Sequence, residues 1–173
     1  MGTFSIVAYD ADTEELGVAV QSRAFSVGGG VPWAEAGVGA VATQSYANTS
    51  YGPEGLRLMA AGWRAEEALG QLLSMDQDAA HRQVLLVDSV GRAAGHTGEA
   101  CFDWAGHILG EGFACGGNIL VGEDTVQAMA TTFAAAEGPL PERLAAALAA
   151  GQAAGGDSRG QQSAALLVVR TGA

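Results

Sequence analysis

Lysine is absent from the sequence, and all eight basic residues are arginines. A chain without lysine has no P-loop lysine, no Schiff-base lysine and no amine side chain that could act as a general base. Aromatic residues make up only 6% of the chain, so its core must be packed mainly from Ala, Val, Leu and Ile. These absences exclude several enzyme classes before any motif is considered.

Positive charge is also scarce. Nineteen acidic residues against eight basic ones give a formal net charge of −11. A nucleic-acid backbone or an anionic membrane surface would repel such a chain. We therefore expect neither a nucleic acid nor a membrane among its partners.

Cysteines and long apolar runs are few. Cys101 and Cys115 are the only cysteines, too few for the disulfide framework of a small secreted domain. The sequence contains no apolar run long enough for a membrane span, and residues 1–5 lack the features of a signal peptide. A cytoplasmic protein is predicted.

The composition fits one globular domain over residues 1–173. Apolar residues make up 49% of the chain and charged residues 16%, and a chain of this length buries roughly two thirds of its unfolded surface. The 26 glycines are spread along the whole chain, which indicates many tight turns and no flexible linker.

Hydrophobic periodicity predicts blocks of strands separated by pairs of helices. The first block is a hairpin, a glycine-rich connection and a third strand; the second holds about four strands, and one strand ends the chain. Because the helices and strands are segregated, we predict an α+β protein built as a four-layer α/β/β/α sandwich. The strands are expected at 3–9, 16–22, 38–45, 83–88, 92–97, within 101–116 and at 163–169, and the helices at 53–62, 65–73, around 126–133 and from 139 onward.

The segment before the last strand carries the strongest local signal. It reads Gly-Gly-Asp-Ser-Arg-Gly-Gln-Gln-Ser over residues 155–163. Glycines that end a helix and allow close backbone approach would hold Asp157 and Arg159 as a fixed ion pair beside exposed amides. The alternative is a helix cap followed by a purely structural salt bridge.

Polar residues also recur at the ends of the apolar strands. Hydroxyls and amides at such positions can orient a substrate carbonyl or donate to an oxyanion, provided that they converge. Taken singly, each is an ordinary buried polar group. The residues concerned are Thr3, Ser5, Gln21, Ser22, Gln44, Ser45 and Asp88.

Other common chemistries find little support. The three histidines have no spacing typical of a catalytic triad, and the glycine clusters do not match a dinucleotide-binding motif. Cys101, Asp103, His107 and Cys115 could ligate a metal from adjacent strands, but their types also suit ordinary core and edge roles. No metal site and no cofactor are predicted.

Several blocks together resemble the DUF1028 family over nearly the whole chain. They include TFSIVAYD at 3–10, GVAVQSR at 17–23, VGAVATQS at 38–45, GNIL at 117–120 and GGDSRGQQSAAL at 155–166. The family is grouped with the Ntn-hydrolase-like proteins, in which an N-terminal Thr, Ser or Cys is the nucleophile and its own α-amine is the general base. The resemblance implies the same αββα sandwich and a catalytic site that needs neither His nor Lys.

The resemblance assigns the nucleophile to Thr3, with Asp157 and Arg159 orienting it or the substrate. The expected reaction is hydrolysis of an amide bond in a small polar or amide-containing substrate. Gln44 or Asn118 is the expected oxyanion donor, and the other expected substrate-binding residues are Ser22, Ser45 and Ser163.

Gly2 departs from the family pattern, in which Thr directly follows Met. While Gly2 is present, the Thr3 nitrogen is an amide and cannot act as a base. Three explanations remain open. Gly2 is a cloning addition, the natural chain starts at a different residue, or the protein itself cuts the bond between Gly2 and Thr3. The competing hypothesis is a catalytically inactive sandwich that binds a small ligand or assembles with a neighbouring chain.

A second departure concerns the last strand. Family members usually continue beyond it, whereas this sequence stops at residue 173. The resemblance therefore implies an uncovered sheet edge, for which we expect a homodimer.

Overall fold

The computed structural model describes residues 2–172, which form two antiparallel sheets and four helices. None of these helices has the length and apolar character needed to cross a bilayer. The strands are β1 (Thr3–Asp10), β2 (Glu15–Ser22), β3 (Pro32–Glu35), β4 (Gly39–Ser45), β5 (Arg82–Asp88), β6 (Ala93–Thr97), β7 (Gly106–Gly110), β8 (Phe113–Asn118) and β9 (Ser163–Val169). The helices are α1 (Tyr51–Ala60), α2 (Ala65–Ser74), α3 (Asp124–Ala135) and α4 (Leu140–Ala153).

The five-stranded sheet has the order β7-β8-β1-β2-β9, and the four-stranded sheet has the order β3-β4-β5-β6. Strand β1 lies in the middle of the first sheet and has apolar residues on both faces. Phe4 and Ile6 pack against α3 and α4, while Val7 packs in the cluster shared with the other sheet. Successive side chains of a strand point to opposite faces, so one strand contributes to both sides.

Three hydrophobic clusters hold these elements together. One joins the five-stranded sheet to α3 and α4 through residues such as Met129 and Leu144. The second joins the four-stranded sheet to α1 and α2. The third, which includes Val18 and Leu85, lies between the two sheets. Side chains at the ends of this inter-sheet space are therefore the ones that can meet solvent.

The structure confirms the α+β class and most of the predicted elements, including the hairpin of β1 and β2, the four strands β5–β8 and the last strand. The prediction of three strands before the first helix is wrong, because β3 lies in the segment taken as a glycine-rich connection. β3 has only four residues and begins with Pro32 at the sheet edge. A proline is tolerated at the start of an edge strand, and so short a strand shows no clear alternation.

Candidate functional site

Four of the predicted site residues form one row across the five-stranded sheet. Asn118 on β8 is paired with Thr3 on β1, Thr3 with Ser22 on β2, and Ser22 with Ser163 on β9. Residues directly opposite each other in antiparallel strands project to the same face. Ser5, two residues after Thr3, donates to Gln44 Oε1 on the other sheet at 2.7 Å, so this row faces the space between the sheets.

Thr3 and Ser22 are linked to the peptide bond that precedes Thr3. Thr3 Oγ1 donates to Ser22 Oγ at 3.1 Å, and Ser22 Oγ donates to the Gly2 carbonyl oxygen at 2.5 Å. Both side chains are buried, Thr3 being 2% exposed. The hydroxyl of Ser22 therefore connects the predicted nucleophile with the carbonyl of the residue before it.

The Asp157–Arg159 turn reaches the same carbonyl from the other side. Gly156 and Gly160, with φ of +64° and +105°, flank the turn between α4 and β9. Arg159 Nη2 donates to the Gly2 carbonyl oxygen at 3.1 Å and to Asp157 Oδ2 at 2.7 Å. The two segments that the sequence analysis assigned to one site thus meet at Gly2.

Asp157 is held as a buried carboxylate. Its side chain is 0% exposed and accepts hydrogen bonds from the backbone amides of Arg23 and Arg159 and from the Arg159 guanidinium. Burial alone would raise the pKa of Asp157, but these hydrogen bonds favour the charged form and hold the pKa below its ordinary range. The carboxylate is therefore a fixed anchor for Arg159.

Gly2 fits tightly into this corner. A Cβ added there would lie 2.7 Å from Asp157 Oδ2, 2.8 Å from Arg159 Nη2 and 2.9 Å from Ile119 Cβ. Ile119 itself has a φ of +53°, a conformation that costs a β-branched residue free energy and occurs mostly at functional sites. The surroundings are shaped for a residue without a side chain immediately before Thr3.

A cavity of about 570 Å³ opens beside Thr3. Its inner end is formed by the buried residues Thr3, Gln44 and Ser45. The backbone of Ser45 has a positive φ, of 69°. Loop segments after β2 and β4 supply most of the remaining wall. The other lining residues are Ala24, Phe25, Ser26, Val27, Gly30, Val31, Tyr46, Ala47, Thr49, Arg82 and Phe102.

The remaining predicted residues mainly support this site. Gln44 Nε2 donates to Gln83 Oε1 at 2.9 Å and to the Gly116 carbonyl at 3.3 Å, while Asn118 Nδ2 donates to Gln83 Oε1 at 2.9 Å. Ser163 Oγ donates to the Ala24 carbonyl at 2.7 Å and accepts from the Val27 amide at 2.9 Å. These bonds fix the sheets to each other and fix the loop that walls the cavity.

Two of the strand-end polar residues do not join the site. The Gln21 side chain donates to Gln152 on α4, away from the inter-sheet space. Asp88 lies opposite Gly39, at the other end of β5 from the pair of Ser45 and Arg82, where it accepts from the Ala65 amide at the start of α2. Of the strand-end polar residues, the structure therefore brings Thr3, Ser5, Ser22, Gln44 and Ser45 together and places these two elsewhere.

Sequence reasoning missed the central amide and the aromatic residues of the cavity. Gln83 is 0% exposed and bridges both sheets through Gln44, Asn118 and Thr97. A glutamine inside the apolar run 83–87 was the available signal. Phe25, Tyr46 and Phe102 lie in loops, where the sequence gives no periodicity to indicate what they face.

Comparison with known proteins now places the chain. The model of the family of unknown function DUF1028 matches residues 3–173. The chain belongs to this family. The crystal structure of protein SPO2555 from Silicibacter pomeroyi, also a DUF1028 protein, is similar with a TM-score of 0.93 and 33% identity, over 98% of this chain and 74% of that one. No curated protein matches the sequence.

Proposed function

We propose that this DUF1028 protein is an N-terminal-nucleophile amide hydrolase in which Thr3 is the nucleophile. The fold that we propose with it is the four-layer α/β/β/α sandwich of those enzymes. The packing of one helix pair on each sheet, with a third cluster between the sheets, supports this architecture. So does the position of Thr3 at the first residue of β1, facing the inter-sheet space.

One observation carries the proposal: the carbonyl group directly before Thr3 is already hydrogen-bonded as a reacting carbonyl would be. Its oxygen accepts from Ser22 Oγ and from the Arg159 guanidinium. Donors placed on a carbonyl oxygen stabilise the negative charge that develops there during acyl transfer. We therefore assign the oxyanion role to Ser22 and Arg159, since the Gln44 amide nitrogen is occupied by Gln83 and Gly116.

The first reaction is cleavage of the bond between Gly2 and Thr3. Thr3 Oγ1 attacks the Gly2 carbonyl carbon, and Ser22 and Arg159 stabilise the oxyanion. The carbon–nitrogen bond then breaks, the hydroxyl proton moves to the Thr3 nitrogen, and Gly2 is left as an ester on Oγ1. Water hydrolyses this ester and releases a carboxylic acid that ends in Gly2. Thr3 becomes the first residue, with a free α-amine.

The second reaction uses that amine. The α-amine accepts the hydroxyl proton of Thr3 while Oγ1 attacks a substrate amide, and the leaving amine takes up the proton. Hydrolysis of the acyl ester gives a carboxylic acid and restores the enzyme. Within residues 2–172, Asn118 Oδ1 is a buried oxygen without a hydrogen-bond partner. Because Asn118 lies opposite Thr3, we expect it to accept a hydrogen bond from the amine.

Intact-mass measurement of the chain produced without a tag tests the proposal. The wild-type protein and Thr3→Ser should begin at residue 3, whereas Thr3→Ala should retain Gly2. Thr13→Ala, in the exposed turn between β1 and β2, is the matched control and should be processed like the wild type. Ser22→Ala should slow processing by about 100- to 1000-fold, the usual effect of losing one oxyanion donor. A folded wild-type protein that keeps Gly2 would contradict the proposal.

The tight packing of Gly2 favours one second candidate, a binding module that never exposes Thr3. In that case the Asp157–Arg159 corner serves to hold the start of the chain, and the cavity binds a ligand without turnover. Retention of Gly2, combined with saturable ligand binding and no release of amine from small amides, would select this alternative.

A further inference from the structure

The mouth of the cavity beside Thr3 is aromatic. Phe25, Tyr46 and Phe102 line it and are 86%, 55% and 52% exposed. The rings of Tyr46 and Phe102 have centroids 6.0 Å apart at an interplanar angle of 40°, and Tyr46 meets His81 edge-on at 5.8 Å. Exposed aromatic side chains around a concave site are typical of a ligand-binding surface.

The side chains that the structure describes around the cavity offer no unpaired charge. Arg82 is the one charged residue among the described residues that line it, and its guanidinium is already committed. Nε and Nη2 donate to Asp76 at 2.8 and 3.3 Å, and Nη1 donates to the Tyr46 carbonyl at 2.7 Å. The hydrogen bonds with Asp76 raise the pKa of Arg82 further. A carboxylate at the far end of a ligand, away from Thr3, would therefore lose its hydration without gaining an unpaired cationic side chain as partner.

The cavity thus has a polar end and an apolar end. Thr3 lines the cavity and is hydrogen-bonded to Ser22, which with Arg159 marks the place of the reacting carbonyl. Ala24, Val27, Val31 and Ala47 supply apolar wall. The two bonds of Ser163 hold the wall loop in position. A volume of about 570 Å³ exceeds what a bare acetyl group would need.

We infer that the cavity binds an uncharged alkyl or aryl arm, and that the substrates are amides of apolar carboxylic acids. This inference rests on the proposed function for the identity of the reacting group. Phe25, Tyr46 and Phe102 are the residues that determine specificity for the arm, and Asp157 and Arg159 do not contact it.

Calorimetric titration of the full chain with primary amides tests the inference. Affinity should rise by about threefold for each methylene from propanamide to hexanamide, as expected when each methylene is largely removed from water. Phenylacetamide should bind in the same range as the longer alkyl amides. The monoamide of adipic acid, which carries a carboxylate at its far end, should bind no more tightly than propanamide.

Two variants with similar exposure sharpen the test. Phe102→Ala should weaken hexanamide binding by about fivefold, a loss that corresponds to partial burial of one ring. Leu109→Ala should leave binding unchanged, because Leu109 is 49% exposed on β7 and does not line the cavity. Urea unfolding of both variants ensures that the comparison is made on folded protein.

An affinity that stays constant along the alkyl series would overturn the inference, as would tighter binding of the charged amide or equal effects of the two variants. Hydrolysis is measured separately, from the carboxylic acid released. Binding that follows the length of the arm without hydrolysis overturns the proposed function and leaves the assignment of the cavity standing. Hydrolysis that is insensitive to the arm overturns only the assignment of the cavity.

Discussion

Asp157→Asn is the most informative single substitution at the site. It preserves the shape of the side chain but reduces the number of hydrogen bonds that the side chain can accept. Each carboxylate oxygen accepts two hydrogen bonds: Oδ1 from the Arg159 amide and Nε, and Oδ2 from the Arg23 amide and Arg159 Nη2. In asparagine one of these oxygens becomes an NH₂ group that faces two donors. Two hydrogen bonds are lost in a position that is fully buried.

A hydrogen bond to a charged group contributes about 1.5 kcal/mol or more, and a buried unpaired donor costs a similar amount. Arg159 is 40% exposed, so solvent screens its share of the loss. We expect the free energy of unfolding to fall by about 3 kcal/mol. Asp12→Asn, in the exposed turn between β1 and β2, should change it by less than about 0.5 kcal/mol.

Urea unfolding at neutral pH measures the difference in the free energy of unfolding between the parent and Asp157→Asn. Both proteins carry Thr3→Ala, which prevents cleavage before residue 3. Because the folded pKa of Asp157 is lowered, its stabilisation is present above the ordinary carboxyl range and is lost as the pH falls through the folded pKa. The gap between the parent and Asp157→Asn should therefore shrink on acidification. A gap below about 0.5 kcal/mol at neutral pH, or one that widens in acid, would refute the role of Asp157 as the buried anchor of Arg159.

Three further predictions concern neighbouring features. Gln83→Leu should lower the free energy of unfolding in urea by about 3 kcal/mol, because it removes the acceptor that the Gln44 and Asn118 amides share and the donor to Thr97. The exposed Gln127→Leu should have little effect. Gly2→Ala should slow the appearance of the Thr3 N-terminus in intact-mass time courses, since its Cβ would displace Arg159; unchanged kinetics would contradict this account of the corner. We propose a homodimer through the edge strand β9, so Leu166→Lys, at a side chain 44% exposed, should shift the light-scattering mass toward the monomer, and a monomeric wild type would refute it.

Strands and turns that are marked by a local sequence pattern could be predicted from the sequence. Hydrogen bonds between residues far apart in the chain could not. Strands such as β1 and β5 are apolar enough to be recognised alone, and the turn at Asp157 is marked by its own glycines. The bonds of Gln83 to Asn118 and of Arg159 to Gly2 join residues far apart in the chain, and no local pattern specifies them. Strand register decides that Ser22 donates to the Gly2 carbonyl while the amides of Gln44 and Asn118 donate to Gln83, and the sequence alone could not distinguish these three residues.

The proposed mechanism needs neither a lysine, which the sequence lacks, nor a histidine. A threonine hydroxyl that acts as a nucleophile needs a base and a group that stabilises negative charge. Arg159 can supply the positive charge only if it is held in one position, because a free guanidinium would remain hydrated. The buried Asp157 holds it, and the fit around Gly2 aligns the carbonyl with it. In the mechanism that we propose, cleavage of the peptide bond before Thr3 would itself generate the missing base, since it converts an inert amide nitrogen into an amine.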